Sequence, residues 1–332
     1  MTTPLPPLLY KLRPQYHARV WGGSRLKAVP EGEMPIGEAW VVFEGNAVEG
    51  GPRDGQTVAE VLADLGDTLL GEGNTRRFGE RFPLLIKLLD CKEWLSVQVH
   101  PNDEQARQLV GEHEFGKTEA WNFIATDPDA KILVGVKPGT TPPQLAEAIR
   151  AGKVLDVADE RAVQAGDTVF IAAGTLHALG PGTFLYEVQQ TSDTTYRVYD
   201  WDRPESAGRK LHIEESVKVT RADLDAEVVA LPPLGAAEAA TVAACPYFQL
   251  EVAEIEAGER LESHTRNLSL HALTLLSGQL NIRTATGALT LEPLETVLVS
   301  AHTGPYLLEA LEDDVRLLRS SLPLQSSMAG PS

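Results

Sequence analysis

Short segments rich in branched and aromatic residues recur along most of the chain, and this repetition constrains the fold more than any other feature. Gly, Pro, Asn or Asp often lies near their ends, which is typical of β-strands joined by turns. In the first two thirds of the sequence the predicted strands cover residues 39–43, 84–89, 94–100, 121–125, 131–136, 168–172, 183–189 and 195–199. In the last third they cover residues 248–255, 268–276, 279–284, 296–299 and 306–310. The sequence therefore predicts a mainly β fold.

Few segments carry helix signals, and the helices they predict are short. Thr57 and Glu60 have the spacing of a capping box, which satisfies backbone N–H groups at the start of a helix. We expect this helix to run to about residue 65 and to end at Gly66. Two further helices are predicted, over residues 142–151 and, with Asn102 or Asp103 as the N-cap, as far as residue 109.

The charge and cysteine content exclude several classes of protein. The formal net charge of −18 repels nucleic acid and anionic lipid, so neither is an expected partner. A phosphorylated substrate would need a local basic patch. Cys91 and Cys245 are too few for a disulfide framework, and a reducing cytoplasm fits them. We expect no export signal at the N-terminus and no membrane span, because the apolar stretches are short.

Polar side chains at strand spacing predict a metal site. Gln98 and His100 are separated by one residue on a predicted strand, so their side chains lie on the same face. Glu119 and His177 follow, and His177 comes after an apolar strand that ends in a glycine turn. Two imidazoles, a carboxylate and an amide oxygen form a plausible ligand set for a divalent metal.

A change in composition indicates two domains. From residue 204 to about residue 240 the sequence becomes polar and then rich in Ala and Pro, which is typical of a segment that crosses between domains. We predict a metal-bearing domain with small helical elements over residues 1–203 and a crossing segment over 204–240. A degenerate C-terminal β domain over 241–322 and a disordered tail over 323–332 complete the prediction.

A weak internal repeat relates the two domains. Between Gly166 and His177 the sequence has a glycine, an apolar strand, a second glycine turn and then the histidine. Residues 294–300 have a similar length and rhythm, but Leu294 and Ser300 replace the turn residues and no histidine follows at the matching spacing. We therefore expect two related β-barrels, of which one carries the site and the other has a structural role.

Ordered motifs extend this pattern through most of the chain. They occupy residues 19–23, 35–40, 83–90, 95–101, 116–121, 174–177, 192–193 and 195–203. Many short strands with a strand-borne and a turn-borne histidine resemble the cupins, which are jelly-roll barrels with a metal inside. The full set of motifs, in this order, resembles the type I mannose-6-phosphate isomerases (phosphomannose isomerases) in their short bacterial form.

This resemblance implies two cupin-like jelly-roll barrels with a few short helices and one Zn²⁺ per chain. It implies a cytoplasmic enzyme that interconverts mannose 6-phosphate and fructose 6-phosphate, a small-molecule sugar phosphate being its partner. The ligands carried over are Gln98, His100, Glu119 and His177, and the catalytic residues are Arg197, Lys117 and Asp193. Lys87 and Ser96 correspond to phosphate-binding positions by resemblance alone. Ala172 departs from the proline usual before the turn, which should soften the turn that holds His177 but removes no ligand.

Two other functions fit parts of the pattern. Two histidines and a carboxylate also suit the non-haem iron of a cupin oxygenase, and a non-catalytic sugar-binding cupin would have the same fold. Gln98, Lys117 and Arg197 favour the isomerase, because a neutral fourth ligand and nearby cations suit a sugar-phosphate enediol. The catalytic base and the oligomeric state stay open. The histidines expected to be structural are His17, His113, His212, His264, His271 and His302.

Overall fold

The computed structural model describes residues 8–204 and 209–323, and most of its regular structure is β-strand, which confirms the predicted fold class. The strands are β1 (Leu9–Leu12), β2 (Gln15–Gly23), β3 (Ile36–Val42), β4 (Leu84–Cys91), β5 (Val97–Val99), β6 (Glu119–Thr126), β7 (Lys131–Val136), β8 (Ala158–Ala162), β9 (Thr168–Ile171), β10 (His177–Leu179), β11 (Thr183–Gln190), β12 (Tyr196–Tyr199), β13 (Val228–Val229), β14 (Ala237–Ala244), β15 (Gln249–Ile255), β16 (Arg260–His264), β17 (His271–Ser277), β18 (Leu280–Thr284), β19 (Gly287–Leu291), β20 (Thr296–Val299), β21 (Pro305–Ala310) and β22 (Val315–Ser321).

The helices are short and few, as predicted. They are α1 (Val58–Leu65), α2 (Asp67–Leu70), α3 (Asn74–Phe78), α4 (Asp103–Leu109), α5 (Pro142–Arg150), α6 (Val154–Val157) and α7 (Ile213–Val219). The capping box of α1 is formed by Thr57 and Glu60, and Asn102 caps α4 in the same way with Gln105. No helix among the described residues is long and apolar enough to cross a membrane.

Two compact units divide the chain, and they interleave in sequence. The described part of the first, which we call the terminal unit, comprises residues 8–15, 40–86 and 231–323. The second, the central unit, comprises the described residues of 16–39 and 87–230. The predicted division at residues 203 and 240 differs from this one. Strand β1 pairs with β20 and so belongs to the terminal unit, whereas helix α7, in the predicted crossing segment, packs on β12 and belongs to the central unit. The predicted tail beyond residue 323 lies outside the described residues.

In the central unit an inner core separates two sheets. One sheet has the order β12-β5-β10-β7-β8, and the other has the order β13-β9-β6-β11-β4-β2-β3, in which β3 and β4 continue across the unit boundary. The inner core is built from alternate residues of the strands, among them Trp121 and Phe123 of β6 and Ile132 of β7. Burial of these large apolar side chains supplies most of the favourable free energy of folding.

The outer face of the five-stranded sheet is covered by helices. Val97 and Val99 of β5 pack there with Leu145 of α5 and Val219 of α7. Because side chains alternate along a strand, Gln98 between these two valines is directed to the opposite face, toward the inner core. The sequence pattern of β5 therefore fixes which side of the sheet carries polar groups.

The terminal unit is a second pair of antiparallel sheets. Their strand orders are β1-β20-β17-β22-β15-β14 and β16-β21-β18-β19. The core between them is built from inward residues of both sheets, such as Leu273, Leu308 and Leu317. This arrangement confirms the prediction of two β-barrels, because each unit has the two-layer architecture of a jelly roll.

The differences from the predicted elements arise mainly in short or half-exposed strands. Predicted strand 94–100 is only three residues long as β5, and its first part is irregular. Strands β2, β16 and β19 were not predicted, because many of their side chains are polar or exposed and give weak apolar alternation. Helix α7 lies in the predicted crossing segment and strand β14 begins in it, but the two elements belong to different units.

Candidate active site

Three strands of the central unit bring the predicted metal ligands together. Gln98 on β5 is the direct cross-strand partner of His177 on β10, and on its other side it pairs with Arg197 on β12. His100 follows β5 immediately, and Glu119 opens β6. The sheet register thus places on one inner face residues that lie far apart in sequence.

His100, Glu119 and His177 form a compact buried group. One potential ligand atom from each residue lies within 4.8 Å of the other two. Nε2 of His100 lies 3.5 Å from Oε2 of Glu119, and Nε2 of His177 lies 3.5 Å from Oε1. Nε2 of His177 is buried and has no hydrogen-bond partner among the described residues. A buried nitrogen without a hydrogen-bond partner beside a carboxylate is a suitable place for a metal ion.

Backbone carbonyls orient both imidazoles. Nδ1 of His100 lies 2.9 Å from the carbonyl oxygen of Thr194, and Nδ1 of His177 lies 2.9 Å from that of Thr175. A carbonyl oxygen can only accept, so each Nδ1 carries the hydrogen and each Nε2 keeps its lone pair. Two such nitrogens, a carboxylate and the amide of Gln98 suit a metal ion.

Burial keeps both imidazoles neutral, which metal ligation requires. Desolvation lowers the pKa of His177 to about 4. The pKa of His100 is also lowered well below its usual value, first by burial and then by the charge of Lys117. At neutral pH both side chains are therefore unprotonated at Nε2.

Lys117 and Trp121 hold the carboxylate from two sides. Nζ of Lys117 lies 3.0 Å from Oε2 of Glu119 and 3.1 Å from Nε2 of His100. The indole Nε1 of Trp121 lies 3.1 Å from Oε1 of Glu119 and from Oε2 of Glu187. Oε2 of Glu119 has the ion pair with Lys117 but no well-aligned hydrogen bond, so it is available to a cation.

A polar cavity of about 520 Å³ opens beside this group, within the central unit. Gln98 and Lys117 line it, and because Lys117 contacts both His100 and Glu119, the metal group lies at the inner end of the cavity. The predicted catalytic residues Arg197 and Asp193 also line the wall, so all the predicted site residues lie in or next to one site.

Arg197 is half-buried on the cavity wall. Its Nη1 donates to the carbonyl oxygen of Lys210 at 3.0 Å, while its buried Nε has no hydrogen-bond partner among the described residues. Burial and the nearby charge of Arg209 lower the pKa of Arg197. Two guanidinium groups close together make a local basic patch in a chain whose net charge is −18.

Sequence reasoning missed Arg209, which lines the cavity, and two further residues of this site, Glu187 and His212. Glu187 on β11 forms a buried ion pair with Lys87, whose Nζ lies 3.4 Å from Oε1. His212, expected to be structural, lines the cavity, and its Nδ1 accepts from the backbone N–H of Arg197 at 3.2 Å. A charged residue between the buried apolar residues Tyr186 and Val188 of a strand was the available signal for Glu187. The position of His212 depends on the loop before α7, which carries no motif.

The fold and this site together define a barrel protein with a buried metal-ligand group at the end of a polar cavity. Comparisons with known proteins agree with this class. The family model described as phosphomannose isomerase type I, catalytic domain, matches residues 9–120. The mannose-6-phosphate isomerase of Streptococcus mutans is 34% identical over 278 residues, which cover 81% of this chain and 84% of that protein.

Two proteins of Bacillus subtilis are also similar. Mannose-6-phosphate isomerase ManA is 39% identical over 225 residues, which cover 64% of this chain and 67% of the relative. The crystal structure of a mannose 6-phosphate isomerase from the same organism superposes with a TM-score of 0.81 at 27% identity, covering 95% of this chain and 99% of that one. The chain therefore belongs to the type I phosphomannose isomerase family, and it is an isomerase with a buried group that could bind a metal.

Proposed function

We propose that this protein interconverts mannose 6-phosphate and fructose 6-phosphate and that the resident metal is zinc, one ion per chain. The observation that carries the proposal is the buried group of His100, Glu119 and His177 at the inner end of a cavity with cationic walls. The family relationship gives the reaction class. The donor set gives the kind of metal, because imidazole nitrogen and carboxylate oxygen are common zinc ligands.

His100, Glu119 and His177 would hold the ion, with the amide oxygen of Gln98 as the fourth ligand. The orphaned Nε2 of His177 and the two oriented imidazoles fit this role. When bound, zinc would supply Lewis-acid polarisation of a substrate oxygen. A set of only neutral and singly negative ligands leaves the centre positive, which favours oxygen atoms that develop negative charge.

Lys117 is the group best placed to hold or move a proton. Moving a carbonyl between C1 and C2 of a sugar requires a proton to leave one carbon and another to reach its neighbour. Nζ of Lys117 contacts the metal group on one side and lines the cavity on the other. Glu187, paired with Lys87 on the same wall, is a second candidate for proton transfer.

Arg197 and Arg209 are suited to hold the negative charge of the substrate. Both line the cavity, and the planar fork of a guanidinium matches phosphate or a developing oxyanion. Arg209 is itself held by Asp200 through contacts of 2.5 Å and 2.8 Å. Asp193 is exposed on the same wall. Burial acts to lower the pKa of Lys87, but the charges of Glu187, then Glu38 and then Asp193 raise it above its usual value. We assign Asp193 a positioning role. Residence in the cytoplasm stays a prediction.

A coupled assay that detects fructose 6-phosphate formed from mannose 6-phosphate tests the proposal. Turnover should disappear with a chelator and return when zinc is added. His177→Ala should lose metal and turnover together, because removing one of two imidazoles opens the site. Iron in protein purified without added metal, together with oxygen consumption, would instead favour a cupin oxygenase. Sugar binding without turnover in the zinc-loaded protein would favour a non-catalytic cupin.

A further inference from the structure

The terminal unit contains its own polar cavity, which the proposed isomerase reaction does not use. This cavity, of about 920 Å³, lies at one end of the two facing sheets. Glu251 of β15, His271 of β17 and Arg319 of β22 line it, together with Ser263 and Tyr306 from the other sheet. Polar residues at inward positions are unusual in a purely structural barrel, because each must be desolvated.

Strand register relates this cavity to the active site. Ile171 lies five residues after Gly166, and Val299 lies five residues after Leu294, which has a positive φ of 69° in place of the glycine. Glu119 is the cross-strand partner of Ile171, and His271 is the partner of Val299. His271 therefore occupies in the terminal unit the position that Glu119 occupies in the central unit.

The same comparison extends to the opposite wall. Glu187 pairs with Trp121, two residues after Glu119, and Arg319 pairs with Leu273, two residues after His271. Arg319 thus takes the place of Glu187. Each has a partner of opposite charge on the next strand. For Arg319 this partner is the partly buried Glu251, bound through two contacts of 2.7 Å and 2.9 Å. The terminal unit thus also has an ion pair at this place, but the positive and the negative residue have exchanged strands.

The position of His177 is taken by Tyr306. The connection after β20 is one residue longer than the connection after β9. For this reason Tyr306, and not Pro305, faces the core of the terminal unit together with Leu308. Tyr306 pairs with Ser263, as His177 pairs with Gln98. In the terminal unit, the positions equivalent to the metal ligands of the central unit are therefore filled by hydroxyl groups and a single imidazole. Such a set does not hold a divalent metal.

We propose that this cavity is a second ligand site, which takes an uncharged polyhydroxylated molecule of about hexose size without a metal. The inner charges already neutralise each other, because the guanidinium of Arg319 is occupied by Glu251 and by Ser263 at 2.5 Å. No surplus charge is left there to hold phosphate. Among the exposed lining residues, Glu262 and Arg266 carry opposite charges, and Arg283 forms an ion pair with Glu309 at 3.0 Å.

Hydrogen-bonding groups and apolar walls complete the fit. Nδ1 of His271 lies 2.6 Å from the hydroxyl of Tyr306, and both side chains line the cavity. Burial lowers the pKa of His271 to about 3, so the imidazole is neutral and can exchange hydrogen bonds with hydroxyl groups. Leu261 and Leu322 line the same cavity and can pack on the carbon face of a sugar ring.

Isothermal titration calorimetry on the full-length, zinc-loaded protein tests this site, with D-glucose and sorbitol as uncharged probes and inorganic phosphate as the charged one. We expect the uncharged probes to bind with millimolar dissociation constants. His271→Leu and Tyr306→Phe should each weaken binding by about tenfold, the effect of one lost buried hydrogen bond. His302→Leu, an exposed histidine of the same unit outside the cavity, should leave binding unchanged.

A further variant separates the two cavities. His177→Ala removes the proposed metal site, and the uncharged probes should bind it as they bind the wild type. Loss of their binding in His177→Ala would place them in the active site and overturn the proposal. It would also be overturned if neither probe binds, if only phosphate binds, or if Tyr306→Phe binds with wild-type affinity. Should His271→Leu fail to fold, Tyr306→Phe decides the question, since it removes only one oxygen atom.

Discussion

The ammonium group of Lys117 lies 3.0 Å from the carboxylate of Glu119, two residues further along the chain. Both side chains are buried, and the same ammonium also contacts His100 at 3.1 Å. The lysine therefore shares two of the atoms that a metal ion would use. Its positive charge lies beside the proposed metal ligands, so under the proposed function metal binding and proton transfer would involve the same group of side chains.

Replacing Lys117 tests its role in proton transfer separately from metal binding. Lys117→Met keeps most of the side-chain volume but removes the charge and the transferable proton. We expect turnover to fall by about 10²-fold or more, the usual contribution of a positioned acid–base group. Metal content should stay near one ion per chain, because removing a neighbouring cation does not weaken the binding of another. Turnover in the coupled assay and elemental analysis measure the two quantities.

Lys131→Met is the matched control, since Lys131 is exposed in the same unit and pairs only with Glu160 on the surface. It should leave turnover within about twofold of the wild type, as expected for a surface ion pair. Turnover of Lys117→Met within that same range would refute a role for Lys117 in proton transfer.

Trp121 should affect metal affinity although it touches no metal. Its indole N–H is shared between Glu119 and Glu187, both buried. Trp121→Phe retains an aromatic ring but leaves these oxygens without their donor. We expect zinc affinity to fall by about 10- to 100-fold, which is typical when a group that orients a ligand is lost.

Competition with a chromophoric zinc chelator measures this change in affinity. Trp94→Phe serves as the control, because Trp94 stacks on Trp201 in the same unit at 4.9 Å and does not line the active-site cavity. Equal zinc affinity of Trp121→Phe and wild type would show that the shared hydrogen bond does not orient Glu119.

Arg197 is expected to act on the substrate and not on the metal. Its guanidinium lines the cavity, and its backbone N–H and carbonyl groups are tied to His212 on either side. Arg197→Ala should abolish measurable turnover while leaving zinc near one per chain. The exposed Arg221, paired with Asp223, provides the control variant Arg221→Ala. Loss of zinc in Arg197→Ala would assign this arginine to the structure of the metal site instead.

The sequence predicted the metal group because its elements are local signals. One residue separates Gln98 from His100, and a glycine turn precedes His177, so strand geometry and turn chemistry placed these side chains. The ion pair of Lys87 and Glu187 was not predictable in this way, because it depends on which strands become neighbours. Register between distant strands is decided by the whole core and not by any one segment.

The interleaving of the two units was also beyond local reasoning. No strand was predicted over residues 9–12, yet β1 forms there and pairs with β20, nearly three hundred residues away in sequence. The second cavity was missed for a related reason. No recognisable motif spacing links His271, Tyr306 and Arg319. Only the sheet register shows that they occupy positions equivalent to active-site positions of the central unit.

His271 should make the stability of the protein fall in acid. Burial lowers its pKa from 6.5 to about 3, so the folded protein resists protonation that the unfolded chain accepts. Above about pH 6.5 the imidazole is neutral in both the folded and the unfolded state, so its titration does not change the free energy of unfolding. As the pH falls from 6.5 toward 3, the unfolded state binds more protons and the free energy of unfolding decreases, by up to about 1.4 kcal/mol for each pH unit.

Urea unfolding at pH 7, 6, 5 and 4 measures this loss by comparing variants, since other buried groups titrate in the same range. His271→Leu should lose less stability between pH 7 and pH 4 than the wild type, by an amount on the order of a few kcal/mol. His302→Leu, which removes an exposed histidine of the same unit, should follow the wild type. Parallel pH dependence of His271→Leu and wild type would mean that the pKa of His271 in the folded protein is not lowered by burial.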